Sequence, residues 1–182
     1  YDVLSCLRLI RHGSIGCPTR SIRFLKAPVD VVSASHRGEI HTATMPFVYS
    51  MPWGRPYFLR AERLQRLWTY FLQPVPEYLK RAIGRLNAGM DERDDLDQLV
   101  DYVTGLEMLF LRDDKELGYK LSMRTATFIS TGKPKKTVFD IVKEAYSVRS
   151  AVVHGGQLKP IQIQGRETTV YELNNLIESY LR

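Results

Sequence analysis

The chain has 182 residues, 44% of them hydrophobic and 25% charged, and a net charge of +6. These are the fractions of a globular protein, which excludes a disordered chain, and no run reaches the roughly 20 apolar residues that a bilayer-crossing helix needs. The length supports one sizeable core, or a smaller core with an appendage. The chain opens on Tyr1 rather than Met, which suggests a piece of a longer protein. Cys6 and Cys17 are too few for a disulfide framework, so a reducing cytoplasm is the expected compartment. The charge is lopsided. Residues 1–90 carry 13 basic and 5 acidic side chains, against 13 and 15 in residues 91–182. A basic half suits a polyanionic partner, although a solvated basic surface is the simpler account of charge alone.

Up to Trp53, short runs rich in Val, Ile and Phe (7–10, 21–25, 29–32 and 47–49) are cut by Gly, Pro and Ser, the texture of short strands and loops. After Pro56 the apolar spacing becomes helical. Phe58, Leu64, Leu67, Trp68 and Phe71 predict a first helix stopped by Pro74 and Pro76. A second follows on Val75, Leu79, Ile83 and Leu86, ending near Gly89. Leu96, Leu99, Val100, Val103, Leu106 and Phe110 predict a third, whose acidic opening from Asp91 to Asp97 complements the helix dipole. Leu117, Leu121, Phe128 and Ile129 predict a fourth, closed by Gly132 and Pro134. The fifth runs through Val138, Ile141, Val142, Ala145, Val148 and Val152 to Gly155 and Gly156. Thr169 and Glu172 have capping-box spacing ahead of a last helix on Leu173, Leu176, Ile177 and Tyr180. The expected architecture is mainly α: a helical bundle over 57–182, preceded by a small β-containing segment over 1–56 that ends an upstream module.

The fifth helix closes on Tyr146-Ser147-Val148-Arg149-Ser150-Ala151-Val152-Val153-His154-Gly155. Arginine is a permanent fork of donors for a phosphate, and histidine is the side chain type that titrates near neutrality. Together they are the minimum kit for cleaving RNA without a metal. This stretch resembles the signature helix of the ApeA-like HEPN domains, in which Arg, four residues and His end the motif. The block from Leu106 to Leu111, with Glu116-Leu117-Gly118-Tyr119-Lys120-Leu121 and Arg124, is similar to their central part. The likeness covers 95–182 well, and 57–94 only in general helical character. It implies an antiparallel helical bundle that dimerises and, in many members, cleaves RNA in anti-phage defence or toxin systems. Many active members carry Asn, Asp or His after the arginine; Ser150 suits the ApeA-like subgroup.

On an ideal helix, five residues turn through about 500°, so Arg149 and His154 stand roughly 140° apart, unless the last turn unwinds toward Gly155. Ser150 and His154, at i and i+4, share a face. A dimer bringing two such helices together would set two arginines and two histidines around one phosphodiester. Arg149, His154 and Ser150 are therefore the candidate catalytic residues. Lys143 and Tyr146, and Lys135 and Lys136 with Lys133 in the preceding loop, are the candidate RNA contacts. The expected reaction is attack of the ribose 2′-hydroxyl on the adjacent phosphate, with no cofactor and no metal. The expected partners are RNA and a second copy of the chain through this helix, with no membrane.

Blander readings exist for each group. An arginine and a histidine near a helix end also serve as dipole complements and carbonyl caps. Glu107 and Arg124, in apolar surroundings, are expected to pair with each other. The rival function is a non-catalytic HEPN-like module binding RNA or protein. Leu9-Ile10-Arg11-His12-Gly13 and Val153-His154-Gly155-Gly156 resemble histidine-phosphatase motifs, but the chain between them is helical instead of alternating strand and helix. Cys6, His12, Cys17, His36 and His41 show no tight metal-ligand spacing.

Overall fold

A computed structural model describes residues 3–10, 19–20, 42–43, 61–111, 116–129 and 134–182. It is mainly helical. The helices are α1 (Val3–Ile10), α2 (Ala61–Phe71), α3 (Glu77–Asp91), α4 (Asp95–Phe110), α5 (Leu117–Ile129), α6 (Lys135–His154) and α7 (Val170–Leu181). Two antiparallel strand pairs of two residues each accompany them: β1 (Thr19–Arg20) with β2 (Thr42–Ala43), and β3 (Gln162–Ile163) with β4 (Arg166–Glu167). The spacing-based helices after Pro56 correspond to α2 through α7. None of the described helices is long and apolar enough to cross a membrane.

Each long helix has a local reason for its limits. Asp94 caps α4, its carboxylate accepting from the backbone N–H groups of Leu96 (2.8 Å) and Asp97 (3.1 Å). Asp95 and Asp97 then sit in the positive first turn, as the acidic run suggested. Thr169 and Glu172 exchange the two bonds of a capping box at 3.1 Å each. Pro76 and Pro134 precede α3 and α6, where a missing N–H costs nothing. α3 runs two residues beyond Gly89, because that glycine is tightly packed within the helix. A Cβ there would meet the Tyr102 ring at 2.5 Å.

One core results. α3 and α4 form a helical hairpin, α5 and α6 a second, and α7 closes against α4. Leu86, Leu99, Val103, Leu106, Leu121, Val138, Val142, Leu173 and Ile177 fill the space between them at almost no exposure. Gly105 lets α7 approach α4, since a Cβ there would lie 2.8 Å from Leu181.

Two parts of the fold depart from expectation. Leu7 to Ile10 was expected as a strand and lies in α1. Short apolar runs read equally well at either period, and the deciding contact is remote. On a helical turn Arg8 and Ser5 face α3, where buried Arg8 pairs with Asp91 and donates to the Asn87 carbonyl at 3.2 Å. Asn87 in turn donates to Ser5 at 2.9 Å. The other three apolar runs of 1–56 lie outside the described residues. The β3–β4 hairpin had no counterpart in the sequence reading. Its turn is Gln164-Gly165, both with positive φ (53° and 78°), the signature of a tight two-residue hairpin. Buried Ile161 seats its base on the core, and Gln164 donates to Thr137 in the first turn of α6 at 2.8 Å.

Candidate functional site

α6 is a regular helix all the way to His154, and only Gly155 turns left-handed (φ 68°, ψ 26°). Glycine adopts that conformation without the Cβ penalty, and the Gly156 N–H then closes the end on the Ala151 carbonyl at 2.7 Å. The last turn does not unwind before His154. The separation of about 140° between Arg149 and His154 therefore stands within one chain.

Arg149 sits at the edge of the core-facing side. Its neighbours Val138, Ile141, Val142, Ala145 and Val148 are buried, and its own side chain is 20% exposed. Its Nη2 donates to Glu107 of α4 at 3.0 Å, and Glu107 is 16% exposed. Burial raises the Glu107 carboxyl above its ordinary pKa of 4.5, and the adjacent guanidinium pulls it back down. Arg149 Nε is buried with no hydrogen-bond partner. The fork expected for a phosphate is thus partly occupied by a carboxylate. The expected Glu107–Arg124 pair is corrected accordingly. Arg124, on α5, donates instead to the Phe110 carbonyl at 2.7 Å, at the end of α4. The Leu-Glu block therefore faces the signature helix directly.

His154 is exposed, as are Val153 before it and Gly155 after it. Ser150 is half-buried, one turn back on the same face. Lys135 and Lys136 open α6 instead of lying in the loop before it; they and Lys143 are exposed, and Lys133 lies outside the described residues. Tyr146 is half-buried and held by packing. A Cβ on Gly118 of α5 would come within 2.7 Å of its ring, which explains the glycine in that block.

Helical geometry joins several of these residues. At 100° per residue, Lys136, Lys143, Ser147, Ser150 and His154 fall within a sector of roughly 60°. That sector lies opposite the buried apolar stripe of α6. It runs about 27 Å along the helix from Lys136 to His154. Asp140 and Glu144 flank it, both half-buried. Lysines in a helix's first turn oppose the macrodipole, so dipole complementarity does not explain Lys135 and Lys136, although it would explain a histidine in the last turn. The signal was present in the sequence as three seven-residue intervals, 136–143, 143–150 and 147–154, which acquire a shared face only once the helix start at Lys135 is known.

Among the described residues no three His, Cys, Asp or Glu side chains gather where a metal could sit. Cys6 is buried on α1, and His12, Cys17, His36 and His41 lie outside the described residues. No family model, no curated protein and no solved structure matches this chain.

Proposed function

We propose that this chain is a metal-independent endoribonuclease of HEPN type, cytoplasmic and acting in anti-phage defence or a toxin-like system. The observation that carries the reading is the exposed sector of α6, with two lysines leading to Ser150 and His154, while Glu107 holds Arg149 at the edge of the core-facing side of the same helix. A backbone tracking the lysines would bring a phosphodiester to the helix end. There the imidazole of His154 is exposed and within reach of a bound strand.

Arg149 and His154 do not share a face in one chain, so the active unit is a two-fold dimer through the His154 end of α6, which leaves the lysines open. One His154 takes the proton of the ribose 2′-hydroxyl as the 2′-oxygen attacks phosphorus. The second, as imidazolium, protonates the departing 5′-oxygen. The products are a 2′,3′-cyclic phosphate and a 5′-hydroxyl, and the proton balance closes over the pair. Arg149 places positive charge beside the developing oxyanion through the N–H groups that Glu107 leaves open. Ser150 orients the imidazole, and Lys135 adds to the basic approach. Tyr146 contributes its exposed edge.

One observation favours the second reading, a non-catalytic HEPN-like module that binds RNA or protein: Glu107 already engages the guanidinium. The deciding experiment is cleavage of RNA by wild type and by His154→Ala, with 2′-O-methyl RNA of the same sequence as control. Cleavage of RNA alone, lost in the variant, supports the nuclease. Equal behaviour of the two well-folded proteins leaves the binding module.

A further inference from the structure

On a face to which α6 contributes none of the described lining residues lies a groove of about 760 Å³. The α2–α3 connection forms one wall, and the ends of α4, α5 and α7 form the other. Phe71, Leu79, Ile83, Leu109, Phe110 and Leu181 make its interior apolar. Around its mouth stand Tyr70, Tyr78 and Phe128, the last 78% exposed and stacked edge-on against Phe110 at 5.5 Å. Scattered exposed aromatics are ordinary, but three rimming one apolar groove are not.

Among the described lining residues one carries a charge. Arg182 lines it with a side chain only 6% exposed. Its Nε donates to Glu178 at 2.8 Å, and Nη2 reaches the same carboxylate oxygen. Nη1, on the other side of the guanidinium, is buried with no hydrogen-bond partner. A buried donor left unmade forfeits its hydration without replacement, so an acceptor supplied from the groove would recover that loss. An apolar cleft of this size with one convergent polar group has the composition of a small-molecule site.

We propose that this groove binds an amphiphile with an apolar chain and a single carboxylate head, the chain between Leu79, Ile83 and Phe110 and the head accepting from Arg182 Nη1. Glu178 already offsets the guanidinium charge, so the head adds net negative charge and keeps its second oxygen toward the groove mouth and water, and a multiply charged head would have more charge to desolvate. Glu178 also holds the guanidinium plane, which leaves the Nη1 edge preorganised for its acceptor.

Calorimetric titration with dodecanoate, dodecanol and dodecyltrimethylammonium, each below its micelle concentration, tests this. Dodecanoate should bind one per chain, about 10-fold or more tighter than dodecanol, and the cation should bind weakest. Leu79→Trp fills the groove from a half-buried position and should weaken dodecanoate by about 10-fold or more, with thermal unfolding unchanged. Arg182→Gln should bring dodecanoate down to the dodecanol level. If that variant unfolds, the head-group series and Leu79→Trp decide alone. Equal affinity for all three heads, or unchanged binding in Leu79→Trp, overturns the proposal. So does a halving of the sedimenting mass in Leu79→Trp, which would seat a second copy of the chain in the groove.

Discussion

Arg149 lies on the flank of α6 that meets α4, four-fifths out of water and held by Glu107, whereas His154, five residues on, stands in solvent past the last buried turn. The first position answers to the core and the second does not. A motif written as a pair of residues therefore spans two physical settings. Substitutions at His154 should be read as rate alone, and those at Arg149 as stability as well as rate.

The largest effect is expected at the solvent end. His154→Ala removes an exposed side chain that no core residue depends on, so the melting temperature should hold within a degree or two. RNA cleavage should fall by about 100-fold or more, the usual contribution of a positioned general acid or base. A fall in melting temperature matching the loss of rate would erase the distinction between the two ends.

At the core end the sign reverses. Arg149→Ala leaves the Glu107 carboxylate buried without its partner, and about 2–3 kcal/mol of stability should be lost near neutral pH. The pH dependence follows from the direction of the Glu107 shift. Burial already raises its pKa in the folded protein, and losing the guanidinium raises it further. The folded variant then binds a proton more tightly than the unfolded chain, so stability is regained below the ordinary carboxyl pKa and lost as pH rises through the folded one. The deficit of Arg149→Ala relative to wild type should thus shrink in acid, as measured by denaturant unfolding from neutral pH downward. Glu107→Gln with Arg149→Met should cost less than the two single losses together, because the burial penalty of both charges goes with them.

The helices that carry this contrast were legible in the sequence. The 3.6-residue spacing located α2 through α7, and Thr169 with Glu172 announced the start of α7. The burial of one end of the motif was not legible. Glu107 had two arginines within plausible reach, Arg124 and Arg149, and choosing between them requires how α4, α5 and α6 cross. Spacing along one helix cannot supply that. α1 stayed hidden for a related reason: Leu7 to Ile10 is too short to show a period, and the partner that makes it helical, Asp91, is 83 residues from Arg8. The β3–β4 hairpin is shorter still, and its signal reduces to Gln164-Gly165 directly after Ile161 and Ile163.

Tyr146 sits between the two settings, and Gly118 sharpens the boundary. A Cβ on residue 118 would overlap the Tyr146 ring at 2.7 Å, and the ring has α5 on one side and solvent on the other. Gly118→Ala should cost about 1–3 kcal/mol, the usual penalty for overpacking, and should push the ring outward. Tyr146→Leu in the same background should recover part of that loss, since the smaller side chain vacates the contact. Failure to recover it, with thermal unfolding as the readout, would place the strain in the backbone of α5.

The smallest effects belong to the lysines of the exposed sector, where the comparison is between charge and structure on one helix face. Lys136 and Lys143 are exposed. Single changes to Ala should leave thermal stability within about 0.5 kcal/mol of wild type. If each neutralises one phosphate, its loss should flatten the dependence of log affinity for single-stranded RNA on log salt by about 0.7 per lysine, with affinity falling by a similar factor on every sequence tested. Lys80, exposed on α3 and tied to Glu77 at 3.8 Å, is the matched control and should leave the slope unchanged. The two lysines also differ in what they test. Lys143 lies about two turns nearer His154 than Lys136 does, so its loss should reduce cleavage of short oligonucleotides, which cannot span the sector, more than the loss of Lys136. Equal slopes for all three variants would detach the lysine row from RNA and leave His154 without an approach path.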